Sequence, residues 1–235
     1  MTLQAVILDF DGVICETVEY HYRSWKRLSE KYGIPFTRQE NNKLRGLTRR
    51  KSLEVILGDR KFPEDEIKKM LRLKNEFYLE LINDMTEADL MPGVKSLLDQ
   101  LREAGIKIGV ASASRNAKIV LEHMGIDSYM SSISDGNIVQ KSKPAPDVYL
   151  HAAKTMDVLP KACVAIEDSE AGVESASQAG MCVIGLGPPQ RVGKAQAVFP
   201  DLKQVSLENL RIIHKWWQAS QTTSPGTRLK EYLSR

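Results

Sequence analysis

Residues 3–8 (Leu-Gln-Ala-Val-Ile-Leu) form a short, mostly apolar run that stops abruptly at Asp9-Phe10-Asp11-Gly12. A run of this length bounded by a turn signal predicts a buried strand. From residue 17 to about 82 no comparable run occurs, and the spacing of apolar positions predicts helices instead: 17–32, closed by Gly33-Ile34-Pro35, a short one near 50–57, and 63–82. Pro63 followed by Glu64, Asp65 and Glu66 marks a helix start, because proline lacks the donor that would be unpaired there and the acids oppose the helix dipole.

After Met91-Pro92-Gly93 strands and helices alternate. Helices are predicted over 94–104, 116–124 and 147–156, with a further one ending at Gly180. Strands are predicted over 106–111, 163–166 and 182–184, with a last short one at 197–199. Short apolar strands alternating with helices imply βαβ units and a parallel sheet covered on both faces. The expected fold class is therefore α/β, a Rossmann-like parallel-sheet core with a helical cap inserted after the first strand. The expected boundaries are 1–14 and 87–218 for the core and 15–86 for the cap. An amphipathic helix at 207–217 with Trp216 and Trp217 closes the core, and 219–235, containing Ser224-Pro225-Gly226, reads as a linker and a short basic tail.

Composition narrows the function classes. The 235 residues are 42% hydrophobic and 27% charged with a net charge of +3, which excludes a disordered chain and a polybasic nucleic-acid binder. Cys15, Cys163 and Cys182 are far apart and form no CxxC pair, as expected in a reducing compartment. Met1-Thr2-Leu3-Gln4 lacks the blocks of a signal peptide, and no apolar run approaches the ~18 residues of a membrane span. A cytoplasmic monomer without nucleic-acid or membrane partners is expected. Arg45-Gly-Leu-Thr-Arg49-Arg50-Lys51 places four cations in seven residues without an acid. Alone it is a solvated helix start; opposite a carboxylate site it suits a phosphate.

Ligands of open parallel sheets bind at the carboxyl ends of the strands. There the predicted strands end on Asp9 and Asp11, on Ser112, and on Glu167 and Asp168, while Lys143 precedes the helix at 147. Four carboxylates at one edge repel unless neutralised, and a hard divalent cation such as Mg²⁺ is the economical partner where phosphate is also bound. One lysine and one hydroxyl then suit the remaining phosphate oxygens. An aspartate so shielded can attack phosphorus and hold it as an acyl phosphate, and a carboxyl two residues on can move the proton.

Asp9-Phe-Asp11-Gly12-Val13, Ser112-Ala113-Ser114, Ser142-Lys143-Pro144-Ala-Pro-Asp147 and Ile166-Glu167-Asp168-Ser169 resemble the four motifs of the haloacid dehalogenase superfamily. Thr17-Val-Glu-Tyr-His21-Tyr-Arg-Ser-Trp25-Lys26, Arg45-Gly46-Leu-Thr-Arg49-Arg-Lys-Ser52-Leu and Lys74-Asn75 are similar to the cap of its β-phosphoglucomutase subgroup. The resemblance covers about 1–218. It implies interconversion of β-D-glucose 1-phosphate and glucose 6-phosphate through β-glucose 1,6-bisphosphate. It also implies residue roles. Asp9 is the phosphorylated nucleophile and Asp11 the general acid/base. Asp9, the Asp11 carbonyl and Asp168 hold Mg²⁺, with Glu167 in or beside that shell. Ser112 and Lys143, helped by Ala113 and Asn116, hold the transferring phosphoryl. Arg49 grips the other phosphate, Trp25, Gly46, Ser52 and Lys74 shape the sugar site, and His21 links cap closure to Asp11. Arg45 stands where the subgroup has lysine, a planar fork in place of a point donor, which bears on sugar preference. A sugar-phosphate phosphatase on the same scaffold is the alternative, with water as the acceptor. A phospho-receiver module shares the acidic pocket but has no cap after the first strand.

Overall fold

The computed structural model describes residues 1–44, 47–139 and 141–222. Its first apolar run is β1 (Ala5–Asp9), followed by four helices, α1 (Val18–Lys31), α2 (Arg38–Asn42), α3 (Arg49–Leu57) and α4 (Glu64–Ile82). The alternating half then runs α5 (Val94–Glu103), β2 (Lys107–Ala111), α6 (Ala117–His123), β3 (Ser132–Ser134), α7 (Asp147–Thr155), β4 (Cys163–Glu167), α8 (Glu170–Gln178), β5 (Cys182–Leu186), α9 (Pro189–Val192), β6 (Ala197–Phe199) and α10 (Leu207–Thr222). All strands are parallel, in the order β3-β2-β1-β4-β5-β6. The α/β class expected from the sequence is the one observed. Connections from β1 lead outward through β2 and β3, and those from β4 lead the other way. The strand order therefore reverses beside β1, where α/β folds open a crevice for ligands.

Successive side chains of a strand point to opposite faces, and both faces here are covered. Val6, Leu8, Val110, Val164, Ile166 and Ile184 pack with the helices α5, α6 and α10. Ala5, Ile7, Ala111, Ala165 and Val183 pack with α7 and α8. That is why β1 reads as a continuous apolar run rather than an alternating one. The helices between β1 and α5 have a core of their own, built from Trp25, Leu28, Leu53, Leu57, Met70 and Phe77. The C-terminal part of α4 leaves it, since Tyr78 and Ile82 join the core on the sheet.

Three elements escape the sequence reading: β3, α2 and the four-residue α9. In β3 a single apolar residue lies between Ser132 and Ser134, and the strand exists through its pairing with Gly109–Ala111 at the sheet edge. The apolar-free α2 is held by a capping box between Thr37 and Glu40. The last helix also continues past 217 to Thr222, so the linker begins later than expected; the basic tail from 223 lies outside the described residues, as do Arg45 and Gly46. Among the described residues no helix is long and apolar enough to cross a membrane.

Candidate active site

The register of the sheet assembles the site. Asp9 is the last residue of β1 and pairs with Ala111, which puts Ser112 beside it; Glu167 ends β4 on the other side. Ligand atoms of Asp9, Glu167 and Asp168 lie within 4.8 Å of one another, and all three residues are buried. Lys143 reaches into this cluster and donates to Asp9 Oδ1 at 2.6 Å, to Glu167 Oε1 at 2.5 Å and to the Ala111 carbonyl at 3.0 Å. Burial pulls the Lys143 ammonium down, yet the attraction of Asp9 and Glu167 outweighs it and its pKa stands above the ordinary lysine value. Burial, and then the Glu167 carboxylate, push Asp9 well above its ordinary value, with Lys143 opposing. Lys143 pairs with two of these three buried carboxylates, and Arg191 stands 3.6 Å from the third, Asp168, so the carboxylates outnumber the cations paired with them. A set of oxygen donors with excess negative charge and no sulfur or imidazole fits a hard divalent cation.

Within the cluster Glu167 is the fully engaged member. Its Oε1 accepts from Lys143 and from the Tyr149 hydroxyl at 2.7 Å, and its Oε2 accepts from the Ser169 hydroxyl at 3.0 Å and amide at 3.3 Å. It is fully buried, and Gly172 makes that possible: a Cβ there would lie 1.9 Å from the carboxyl carbon.

Asp11 points away from this cluster toward the helical block. Its Oδ1 accepts a short hydrogen bond from the Thr17 hydroxyl and lies 3.9 Å from His21 Nε2. Burial raises the Asp11 pKa, and the Thr17 hydrogen bond opposes that rise. On its other nitrogen, His21 Nδ1 contacts Lys74 Nζ at 2.8 Å, while its ring stacks on Tyr78 at 4.3 Å. Lys74 is itself buried, with its ammonium 5.0 Å from the Trp25 ring centre and 4.6 Å from that of Tyr78. Burial and the Arg49 charge hold Lys74 well below the ordinary lysine value.

The same forces, burial first and then the charges of Lys74 and Arg49, hold the His21 imidazole well below its ordinary value. The unfolded chain takes up that proton near pH ~6.5, whereas the folded chain resists it. The stability this group contributes is therefore full above about pH 6.5 and is lost as pH falls below it toward the folded value. Between about pH 7 and about pH 5 the parent should lose stability relative to His21→Asn in urea melts. Parallel profiles would contradict an imidazole held neutral in the folded chain.

A cavity of about 870 Å³ joins these groups to a second charged region. Asp9, Ser112, Ala113, Lys143 and Asp168 line one end, while Trp25, Arg49, Ser52 and Lys74 line the helical side. Burial, and then the guanidinium of Arg115, lower the Arg49 pKa. Two guanidinium groups facing one space repel unless an anion lies between them, which makes this end suited to a phosphate. Asn116 joins the two sides directly, its amide donating to Asn75 Oδ1 on α4 at 2.9 Å. Ser112 is fully buried, and its hydroxyl accepts from the Ser114 amide at 2.9 Å, which fixes the loop that follows β2.

Of the described residues of the sequence-based site, all but Glu167 and Asn116 line this cavity; Glu167 lies in the carboxylate cluster and Asn116 bonds the lining Asn75. The structure adds Thr17, Tyr149 and Arg115. Arg115 stands between Ala113 and Asn116 and was legible from its place in that motif. Thr17 and Tyr149 act through contacts that no local pattern announces.

Known proteins resemble this chain in sequence and in fold. The sequence profile of the haloacid dehalogenase-like hydrolases matches residues 6–186. Over 220 residues the chain is 41% identical to the β-phosphoglucomutase of Bacillus subtilis, covering 92% of this chain and 96% of that protein. A phosphorylated carbohydrates phosphatase of Thermotoga maritima is 27% identical over 181 residues, covering 76% and 82%. The crystal structure of a β-phosphoglucomutase from Clostridium difficile superposes with a TM-score of 0.89 at 36% identity, covering 93% of this chain and 100% of that one. The matched profile begins within β1, ends at the last residue of β5 and includes each acid and the lysine of the cluster; the chain belongs to the haloacid dehalogenase-like hydrolase family.

Proposed function

We propose that this enzyme interconverts β-D-glucose 1-phosphate and glucose 6-phosphate through β-glucose 1,6-bisphosphate, carrying the phosphoryl group on Asp9. The observation that supports the mutase over a phosphatase is a second group of cations lining the same cavity as Lys143, namely Arg49 and Arg115, whose charges act on each other. A bisphosphate needs two phosphate sites that can exchange roles. A monophosphatase needs one. The 41% identity to the Bacillus subtilis β-phosphoglucomutase points the same way.

In this reading an Asp9 oxygen attacks phosphorus, the bond from phosphorus to the sugar oxygen breaks, and Asp11 delivers its proton to that oxygen. Returning the proton to Asp11 activates the next sugar hydroxyl. Asp9, Asp168 and the Asp11 carbonyl would hold Mg²⁺, which when bound neutralises charge on the phosphoryl oxygens. Glu167, with both oxygens already accepting hydrogen bonds, serves instead to hold Lys143 against Asp9. Ser112 and Lys143 position the transferring phosphoryl, and the helical block closes over the sheet edge as the cap. Trp25, Ser52 and Lys74 shape the sugar pocket from the cap side.

Arg49→Ala tests the two-phosphate reading. It should lower kcat/KM for β-glucose 1-phosphate by about 10²-fold or more, the cost of losing a buried charged partner. Hydrolysis of acetyl phosphate, which has no distal phosphate, should stay within about threefold of the parent. Equal losses on both substrates would contradict a distal phosphate site at Arg49.

A further inference from the structure

Arg191 is a cation beside the acidic cluster that the reaction above leaves without a task. It projects from α9, and its Nη2 lies 3.6 Å from Asp168 Oδ2 and 3.5 Å from the Leu186 carbonyl. Both contacts are long for a charge-assisted hydrogen bond, which closes to about 2.7–2.9 Å. Arg191 Nε is buried and has no hydrogen-bond partner among the described residues. The guanidinium lies over the backbone of Gly187, where a Cβ would stand 2.5 Å from Nη2. This side chain is held by charge rather than by fitted hydrogen bonds.

Its surroundings leave it somewhere to go. A second cavity of about 210 Å³ lies behind Asp168, lined by Gly12, Glu16, Gly187 and Asp201. Arg191 lines this cavity and the main one, so it stands between them. Glu16 and Asp201 offer carboxylates on the far side. On the near side, Lys143 pairs with Asp9 and Glu167, and Arg191 is the cation that stands 3.6 Å from Asp168 Oδ2. A divalent cation at Asp9 and Asp168 would bring two positive charges to the same carboxylate. Cation and guanidinium would then repel each other and compete for Asp168.

We infer that Arg191 is a placeholder cation: it holds Asp168 when the divalent site is empty, gives way toward the second cavity when the cation binds, and thereby sets the affinity for the metal. Arg191 is a positioning residue in this scheme and touches no reacting atom. The inference rests on the proposed divalent site at Asp9 and Asp168, and its test separates the two.

The experiment is calorimetric titration of the full chain with Mg²⁺ and no sugar phosphate, with thermal melts in metal-free and Mg²⁺-saturated buffer. Arg191→Met keeps most of the stem and removes the charge, and it should tighten Mg²⁺ binding by about tenfold. Its metal-free melting temperature should fall below that of the parent while the Mg²⁺-saturated values coincide, because the placeholder matters only in the empty state. Arg191→Lys should stay near the parent affinity. Unchanged or weaker Mg²⁺ binding in Arg191→Met would overturn the inference while leaving the divalent site standing. Absence of saturable binding by the parent, or parent-like binding by Asp168→Asn, would refute the divalent site itself and this inference with it.

Discussion

Asp9→Asn should abolish phosphoryl transfer, lowering turnover by at least about 10³-fold, while the protein remains folded. An amide oxygen is a poor nucleophile toward phosphorus and brings no charge to a divalent cation. The fold should tolerate the change, because the Asp9 carboxylate is held above its ordinary value by burial and by Glu167, so its negative charge is a cost in the empty protein. Lys143 keeps Glu167 and the Ala111 carbonyl as partners when the aspartate is gone. The expected result is a melting temperature at or above that of the parent together with lost turnover of β-glucose 1-phosphate. Turnover within about tenfold of the parent would remove Asp9 from the reaction.

Asp11→Asn should produce the second-largest loss, about 10²–10⁴-fold, the usual contribution of a positioned general acid/base. Asp11 lies two residues from Asp9 but faces Thr17 and His21 rather than the carboxylate cluster. Burial raises its pKa, which helps it carry the proton that the leaving sugar oxygen needs. The variant should still bind Mg²⁺, since the proposed contribution of this residue to the cation is its backbone carbonyl. Sugar phosphates, whose alkoxide leaving groups need a proton, should suffer most. Acetyl phosphate, with its acidic leaving group, should form the aspartyl phosphate at close to the parent rate. Equal losses with the two donors would contradict proton transfer by Asp11.

The parts of this site that were legible in the sequence sit where a strand ends. Asp9, Ser112 and Glu167 each close an apolar run, and the parallel register carries all three to one edge. His21, Trp25 and Lys74 were legible only through resemblance, since an isolated helical histidine or tryptophan is ordinarily a packing residue, whereas Arg49 also stood out within the cation cluster at 45–51. Thr17, Tyr149 and Arg191 were not legible. Each acts across a loop or between elements far apart in the chain, on Asp11, Glu167 and Asp168 respectively. The same limit applies to the fold: β3 is three residues long and owes its conformation to its neighbour in the sheet rather than to its own pattern.

The most direct test of the account is the fate of the phosphoryl group. The parent enzyme, given β-glucose 1-phosphate, Mg²⁺ and a trace of β-glucose 1,6-bisphosphate, should be followed for glucose 6-phosphate and inorganic phosphate in the same reaction. Induced closure of the cap on a sugar phosphate is expected to favour the sugar over water as acceptor. The account predicts glucose 6-phosphate as the product, with inorganic phosphate at about one per cent of it or less. Release of inorganic phosphate as the main product would contradict the mutase reading and identify the enzyme as a sugar-phosphate phosphatase.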